Sequence, residues 1–88
     1  MKKIKIKVVF NQWGHGYINI IPSHYAQWNL TESSEREYNL DPGDYTITYN
    51  TVTGSGGTIE VIDDETGSEI ASSDLNAGID QGYFAITI

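Results

Sequence analysis

Along residues 2–10 apolar and charged side chains alternate, with Lys3, Lys5 and Lys7 on one side and Ile4, Ile6, Val8 and Phe10 on the other. A period of two marks a strand with one buried face. The same period recurs down the chain and no helical stripe interrupts it. Turn-forming residues arrive at intervals of about eight to twelve positions, the spacing of an all-β sandwich or barrel. Strands are predicted over 2–10, 16–21, 25–31, 35–40, 44–52, 57–63, 68–73 and 82–88. The breaks between them carry Asn11-Gln12-Trp13-Gly14, Pro22-Ser23-His24, Asp41-Pro42-Gly43, Gly54-Ser55-Gly56-Gly57, Asp64-Glu65-Thr66-Gly67 and Asn76-Ala77-Gly78. Each break holds a residue that presets φ or tolerates a positive one. Gly67 is placed for a bulge after a tight hairpin turn. Thr31-Glu32-Ser33-Ser34-Glu35 is the one stretch that also suits a helical turn. The expected fold is all-β: a single antiparallel β-sandwich of seven or eight short strands, one domain over 1–88.

Parity then assigns a core. Ile4, Ile6, Val8 and Phe10 face inward, with Tyr45, Ile47, Tyr49, Ile59, Val61, Ile70, Phe84, Ile86 and Ile88. Thr46, Thr48 and Thr87 take the opposite parity and suit a solvated face. Lysines along one side of a strand guard a sheet edge, so 2–10 is expected to be a long edge strand.

Composition narrows the function classes. At 88 residues with 39% hydrophobic positions the chain can bury one core. No apolar run approaches the ~20 residues of a membrane-spanning helix. Only Val8, Val9 and Phe10 are contiguous near the start, too few for a signal peptide's apolar segment. Without cysteine there is no disulfide framework, thiolate metal site or cysteine nucleophile. Twelve acidic against five basic residues give a net charge of −7, which disfavours nucleic acid, whose phosphates are bound by Lys and Arg. Four of the basic residues lie in the first seven positions, a basic ribbon ahead of an acidic body. That pattern is expected to balance locally, with the first strand beside acidic neighbours.

Residues 13–30 hold both tryptophans, both histidines and two of the six tyrosines. Folded as a hairpin over Pro22-Ser23-His24, strands 16–21 and 25–31 pair Ile21 with Tyr25, Asn19 with Gln27 and Tyr17 with Asn29. Ile18 then meets Trp28 and Ile20 meets Ala26, and both members of every pair share a face. Ile18, Ile20, Ala26, Trp28 and Leu30 form the core side. The other side presents His15, Tyr17, Asn19, Tyr25, Gln27 and Asn29, with Trp13 on the same parity. An aromatic ring offers a flat apolar plate to the C–H face of a sugar, and Asn, Gln and His hydrogen-bond its hydroxyls. The same mixture serves protein-binding surfaces. The opposing interpretation is that Tyr17 and Tyr25 merely pack across the ribbon, as tyrosine does in strands. Gly14 and Gly16 suit either close approach of a ligand or a bend. His24 suits a turn position of positive φ.

Other chemistry finds little support. Two histidines nine apart are no metal signature. The acidic turns (Asp41 and Asp44; Asp63, Asp64 and Glu65; Asp74, Asn76 and Asp80) lack the spacing of an EF-hand and suit ordinary solvated turns. There is no Gly-x-Ser-x-Gly elbow, and Gly54-Ser55-Gly56-Gly57 lacks the Lys-Ser/Thr pair of a phosphate loop. The expectation is a protein that is not an enzyme and needs no cofactor. Asn29-Leu30-Thr31 matches a glycosylation acceptor.

The run Tyr38-Asn39-Leu40-Asp41-Pro42-Gly43-Asp44-Tyr45-Thr46-Ile47-Thr48 resembles the Leu-x-Pro-Gly-x-Tyr-x-Ile turn of prealbumin-like sandwich modules in bacterial surface proteins. Collagen-adhesin B-type repeats and carboxypeptidase regulatory-like domains are examples. The resemblance covers about a dozen residues and implies a type II turn with an accessory or adhesive role. The adhesin repeats join a first-strand Lys to a last-strand Asn. Residues 81–88 contain no Asn, so that bond is not carried over. The expected function is non-enzymatic binding of carbohydrate or a protein surface, without nucleic acid or membrane insertion. The alternatives are a small acidic inhibitor of a host protein, of the phage-antagonist type, and a structural spacer or designed β protein. The first reading suits a cell-surface module of a longer chain, and the second a cytoplasmic protein starting at Met1.

Overall fold

In a computed structural model describing residues 1–88, the alternation resolves into eight strands and no helix. They are β1 (Lys2–Phe10), β2 (Gly14–Ile21), β3 (Trp28–Leu30), β4 (Ser34–Leu40), β5 (Asp44–Thr53), β6 (Gly57–Asp63), β7 (Glu69–Leu75) and β8 (Gly78–Thr87). Two antiparallel sheets form, ordered β4-β1-β6-β7 and β3-β2-β5-β8. Only β2–β3 and β6–β7 are hairpins within a sheet. Every other connection crosses between the sheets, whose apolar sides meet in a single β-sandwich core.

Parity accounts for most of that core. Ile4, Ile6, Val8, Phe10, Ile47, Tyr49, Ile59, Val61 and Ile86 are buried, while Tyr45, Phe84 and Ile88 pack partly buried against them. Ile70 departs from the expectation. Val61 faces Ala71 whereas Ile62 faces Glu69, so Ile70 is the extra residue of a β-bulge and turns outward. A bulge resets the inward side of the strand by one position. Beyond it Ala71 and the buried Leu75 point inward instead.

β1 is an interior strand, not an edge. It lies between β4 and β6 because its lysine side meets carboxylates from both neighbours. Lys3 Nζ is 3.5 Å from Glu37, and Lys5 Nζ lies 3.8 Å from Glu35 and 3.4 Å from Asp64. Lys7 stands in register between Glu35 and Glu60. The basic ribbon and the acidic body therefore offset one another on one sheet face. At the end of the sandwich Lys2 Nζ sits 3.0 Å from Asp63 Oδ2. That hydrogen bond, helped by the Glu65 N–H, holds the Asp63 carboxyl below its ordinary 3.8 and raises Lys2 above 10.5.

The turns follow their chemistry with two exceptions. Gly67, at φ 80°, closes the β6–β7 hairpin by donating its N–H to Asp63 O at 2.7 Å. Residues 31–33 form a bend and not a helical turn, and Ser33 Oγ accepts the Phe10 N–H at 2.8 Å. Gly43 has φ 155°, not the roughly +80° of a type II turn. It instead extends the β5–β8 ladder, exchanging both backbone hydrogen bonds with Ile88 at 2.8 and 3.1 Å.

Candidate functional site

The hairpin that carries the candidate residues has the predicted register. Tyr17 faces Asn29 and Ile18 faces Trp28, burying Ile18, Ile20, Trp28 and Leu30. The ladder stops there, however, and β3 is three residues long. Pro22 has no N–H to give, and Ser23 Oγ takes the N–H of Tyr25 at 3.0 Å, so the chain leaves the sheet before pairing resumes. Ile20–Ala26 and Ile21–Tyr25 do not pair, and Ala26 is exposed rather than core.

That departure removes Tyr25 from the outward face. Its ring swings to the other sheet and meets Tyr38 edge-on, with centroids 4.9 Å apart at 82°. Its hydroxyl accepts the Asn39 N–H at 3.2 Å and donates to Asn39 O at 3.4 Å. Tyr25 is thus a latch between β3 and the free side of β4. Burial pushes the Tyr38 phenol beneath it above its ordinary 10.0, against the opposing influence of Arg36. The Arg36 guanidinium covers the Trp28 ring at 5.2 Å and closes the same corner. His24 stacks on Tyr25 at 4.5 Å, and its φ is not positive.

The remaining candidates do share the outer face of β3-β2-β5-β8. Asn19 Nδ2 donates to Gln27 Oε1 at 3.3 Å, and Gln27 Nε2 donates to Asn29 Oδ1 at 2.9 Å. This amide chain leaves Asn19 Oδ1 and Asn29 Nδ2 open to a ligand. Tyr17 and His15 are exposed above it. Trp13 is 53% exposed. It stacks with His15 at 6.0 Å while its indole rests on Gly54, where a Cβ would overlap the ring. Gly14 and Gly16 face inward, not toward a ligand. A Cβ at Gly16 would run into the Asn50 carbonyl of β5.

Register extends the face across two more strands. His15, Val52 and Ile79 form one row, and Asn29, Tyr17, Asn50 and Gln81 the next. Asn19, Thr48 and Tyr83 follow, then Ile21, Thr46 and Ala85. None of these residues is Asp, Glu, Lys or Arg; the first carboxylate, Asp44, stands one row beyond and accepts from Thr87 at 2.7 Å. Five of the large apolar side chains left exposed lie here: Trp13, Tyr17, Ile21, Ile79 and Tyr83. Tyr17 and Tyr83 are two strands and one row apart, about 12 Å between backbones from standard strand dimensions. A shallow open depression of about 630 Å³ lies between β5 and β8, lined by Thr48, Asn50, Gln81 and Tyr83 among others. Another of about 220 Å³ adjoins His15, Tyr17, Val52 and Ile79.

Parity in the sequence puts Thr46 and Thr48 on this solvated side but does not single out Asn50, Ile79, Gln81 or Tyr83 as part of a site. The last strand is predicted over 82–88, but β8 begins at Gly78, directly after the Asn76-Ala77-Gly78 turn. Extending the parity of Phe84 and Ile86 backward would have placed Ile79, Gln81 and Tyr83 outward. The acidic turns spend carboxylates internally: Asp63 holds Lys2 and the Glu65 N–H, and Asp80 accepts the Asn76 N–H at 2.9 Å. No family model, curated protein or solved structure matches the chain.

Proposed function

We propose that this chain is a non-enzymatic binding module that takes neutral carbohydrate on the outer face of β3-β2-β5-β8. One observation carries the reading. With twelve acidic and five basic residues, the protein keeps the rows from His15–Ile79 to Ile21–Ala85 free of all of them, Asp44 coming one row beyond. The opposite sheet carries lysines and carboxylates on its outer side, so their exclusion here is a property of the face. Tyr17 and Tyr83 supply two separated plates for sugar C–H faces. Asn19, Gln27, Asn29, Asn50 and Gln81 supply paired donors and acceptors for hydroxyls. The depressions are too open to exclude water from a reaction, which suits binding rather than catalysis.

A protein surface is the second reading, favoured by Ile21 and Ile79 at opposite corners, 56% and 86% exposed. The acidic-inhibitor reading depends instead on carboxylates, several of which are engaged by the protein's own lysines. Binding to a panel of neutral and uronate oligosaccharides, at low and moderate salt, separates the three. The carbohydrate reading expects binding of neutral members, indifferent to salt and lost in the double variant Tyr17→Ala/Tyr83→Ala. Unaltered affinity in that variant refutes this platform. Binding to a protein partner that falls steeply with salt favours the inhibitor.

A further inference from the structure

Four strands border the two sheets, and three of those edges are guarded. β3 is only three residues long. β4 carries Glu35, Arg36 and Glu37, and the Tyr25 phenol occupies both edge groups of Asn39. β7 bears Glu69 and Asp74 and is distorted by the bulge at Ile70. Bulges, charges and short length are the usual protections against strand addition. β8 has none of them. It runs ten residues from Gly78 to Thr87 without Lys, Arg or Pro, and its one charge, Asp80, is turned to the Asn76 N–H.

The ladder identifies which backbone groups β8 leaves free. Gly43 and Ile88 exchange both hydrogen bonds, and antiparallel pairs alternate, so the even-numbered residues of β8 bond to β5. Ile79, Gln81, Tyr83, Ala85 and Thr87 therefore direct N–H and C=O outward from the edge. Ile79, Gln81, Tyr83 and Ala85 are also residues whose side chains lie on the uncharged face, and Thr87 stands at its end beside Asp44.

We infer that β8 pairs antiparallel with β8 of a second copy, joining two β3-β2-β5-β8 sheets into one eight-stranded sheet. The free set is self-complementary about Tyr83. Placing Tyr83 opposite its copy sets Ile79 against Thr87 and Gln81 against Ala85, so that all five residues of each strand pair. Charge argues for a second copy over a different partner. Each chain carries −7. Two copies approach with little repulsion along Ile79–Ala85, where no carboxylate stands beside the strand, and Asp44 lies only at its far end, bonded to Thr87; so sparse a charge gives a cationic partner little to select. The pairing extends the uncharged face across both copies and does not depend on what that face binds.

Sedimentation velocity on the intact chain, from low micromolar to low millimolar, tests this together with amide exchange. The expected result is a concentration-dependent doubling of mass, with exchange at residues 79, 81, 83, 85 and 87 slowed only in the dimer. Gln81→Pro removes an N–H that makes no bond within the chain, and should weaken dimerisation more than about tenfold. Tyr83→Lys, which sets two ammonium groups side by side at the axis, is the second variant should the proline disturb folding, and should do the same. A chain that stays monomeric throughout overturns the inference. So does a dimer that neither folded variant weakens, because it would then use another surface.

Discussion

Tyr25→Phe and Tyr25→Ala test whether this tyrosine is a structural latch or part of the recognition face. The phenylalanine variant loses only the hydroxyl that bridges Asn39 N and O at 3.2 and 3.4 Å. Both groups lie where water can replace it, so the loss is a net hydrogen-bond contribution of about 0.5–1 kcal/mol and not a desolvation penalty. The alanine variant also loses the edge-on contact with Tyr38, worth about 0.5–1.5 kcal/mol. Half-burial of the ring adds about 1 kcal/mol. The alanine total is therefore about 2–3.5 kcal/mol. In a domain of this size each kcal/mol moves the melting temperature by about 4–8 °C. Thermal melts followed by the fluorescence of buried Trp28 should fall by about 2–8 °C for Tyr25→Phe and by about 8–28 °C for Tyr25→Ala. Ligand affinity well below the melt should not change. A Tyr25→Ala melt within about 2 °C of the parent refutes the latch. Loss of binding in Tyr25→Phe at an unchanged melting temperature would return Tyr25 to the recognition surface.

The Asp63 carboxyl is held below its ordinary value when folded, so its contribution is complete above about pH 4 and disappears as pH falls through the depressed folded value. Melting temperatures from pH 6 to 2 should therefore decline more steeply for the parent than for Asp63→Asn, and parallel curves would contradict the Lys2–Asp63 pairing. Gly16→Ala drives a methyl into the Asn50 carbonyl between two paired strands, where neither backbone can yield. Urea unfolding should show a loss of about 3 kcal/mol, and a neutral result would mean that β2 and β5 are not so closely apposed. Ile70→Thr, at an outward bulge position, should change stability by less than about 0.5 kcal/mol in the same assay. A larger loss would place Ile70 in the core.

Period-two alternation made the sandwich legible because a strand with one buried face must declare that face in its sequence. It gave the inward set of β1, β5 and β6 and the Tyr17–Asn29 register. Alternation says which side a residue takes but not which strand lies beside it. The lysines of β1 therefore suggested an edge when they mark a central strand between acidic ones. It also fails wherever the count slips. The bulge at Ile70 shifts parity with no sequence mark, and Ser23 captures a backbone N–H that a continuing strand needed. Of the candidate site, Trp13, His15, Tyr17, Asn19, Gln27 and Asn29 come together as the pattern implied, and Tyr25 does not. Ile79 and Gln81 precede the predicted 82–88 strand, and only the ten-residue pairing of β8 with β5 brings them beside Tyr83 on this face.

The most direct test of the recognition face is a titration of neutral oligosaccharides into isotopically labelled protein, followed by amide chemical shifts. Shifts are expected along Tyr17, Asn19, Asn50, Gln81 and Tyr83, with those of Lys5, Glu37 and Glu60 on the opposite sheet unmoved. Perturbations centred on the charged sheet, or a response only to uronate sugars that disappears with added salt, would contradict the account.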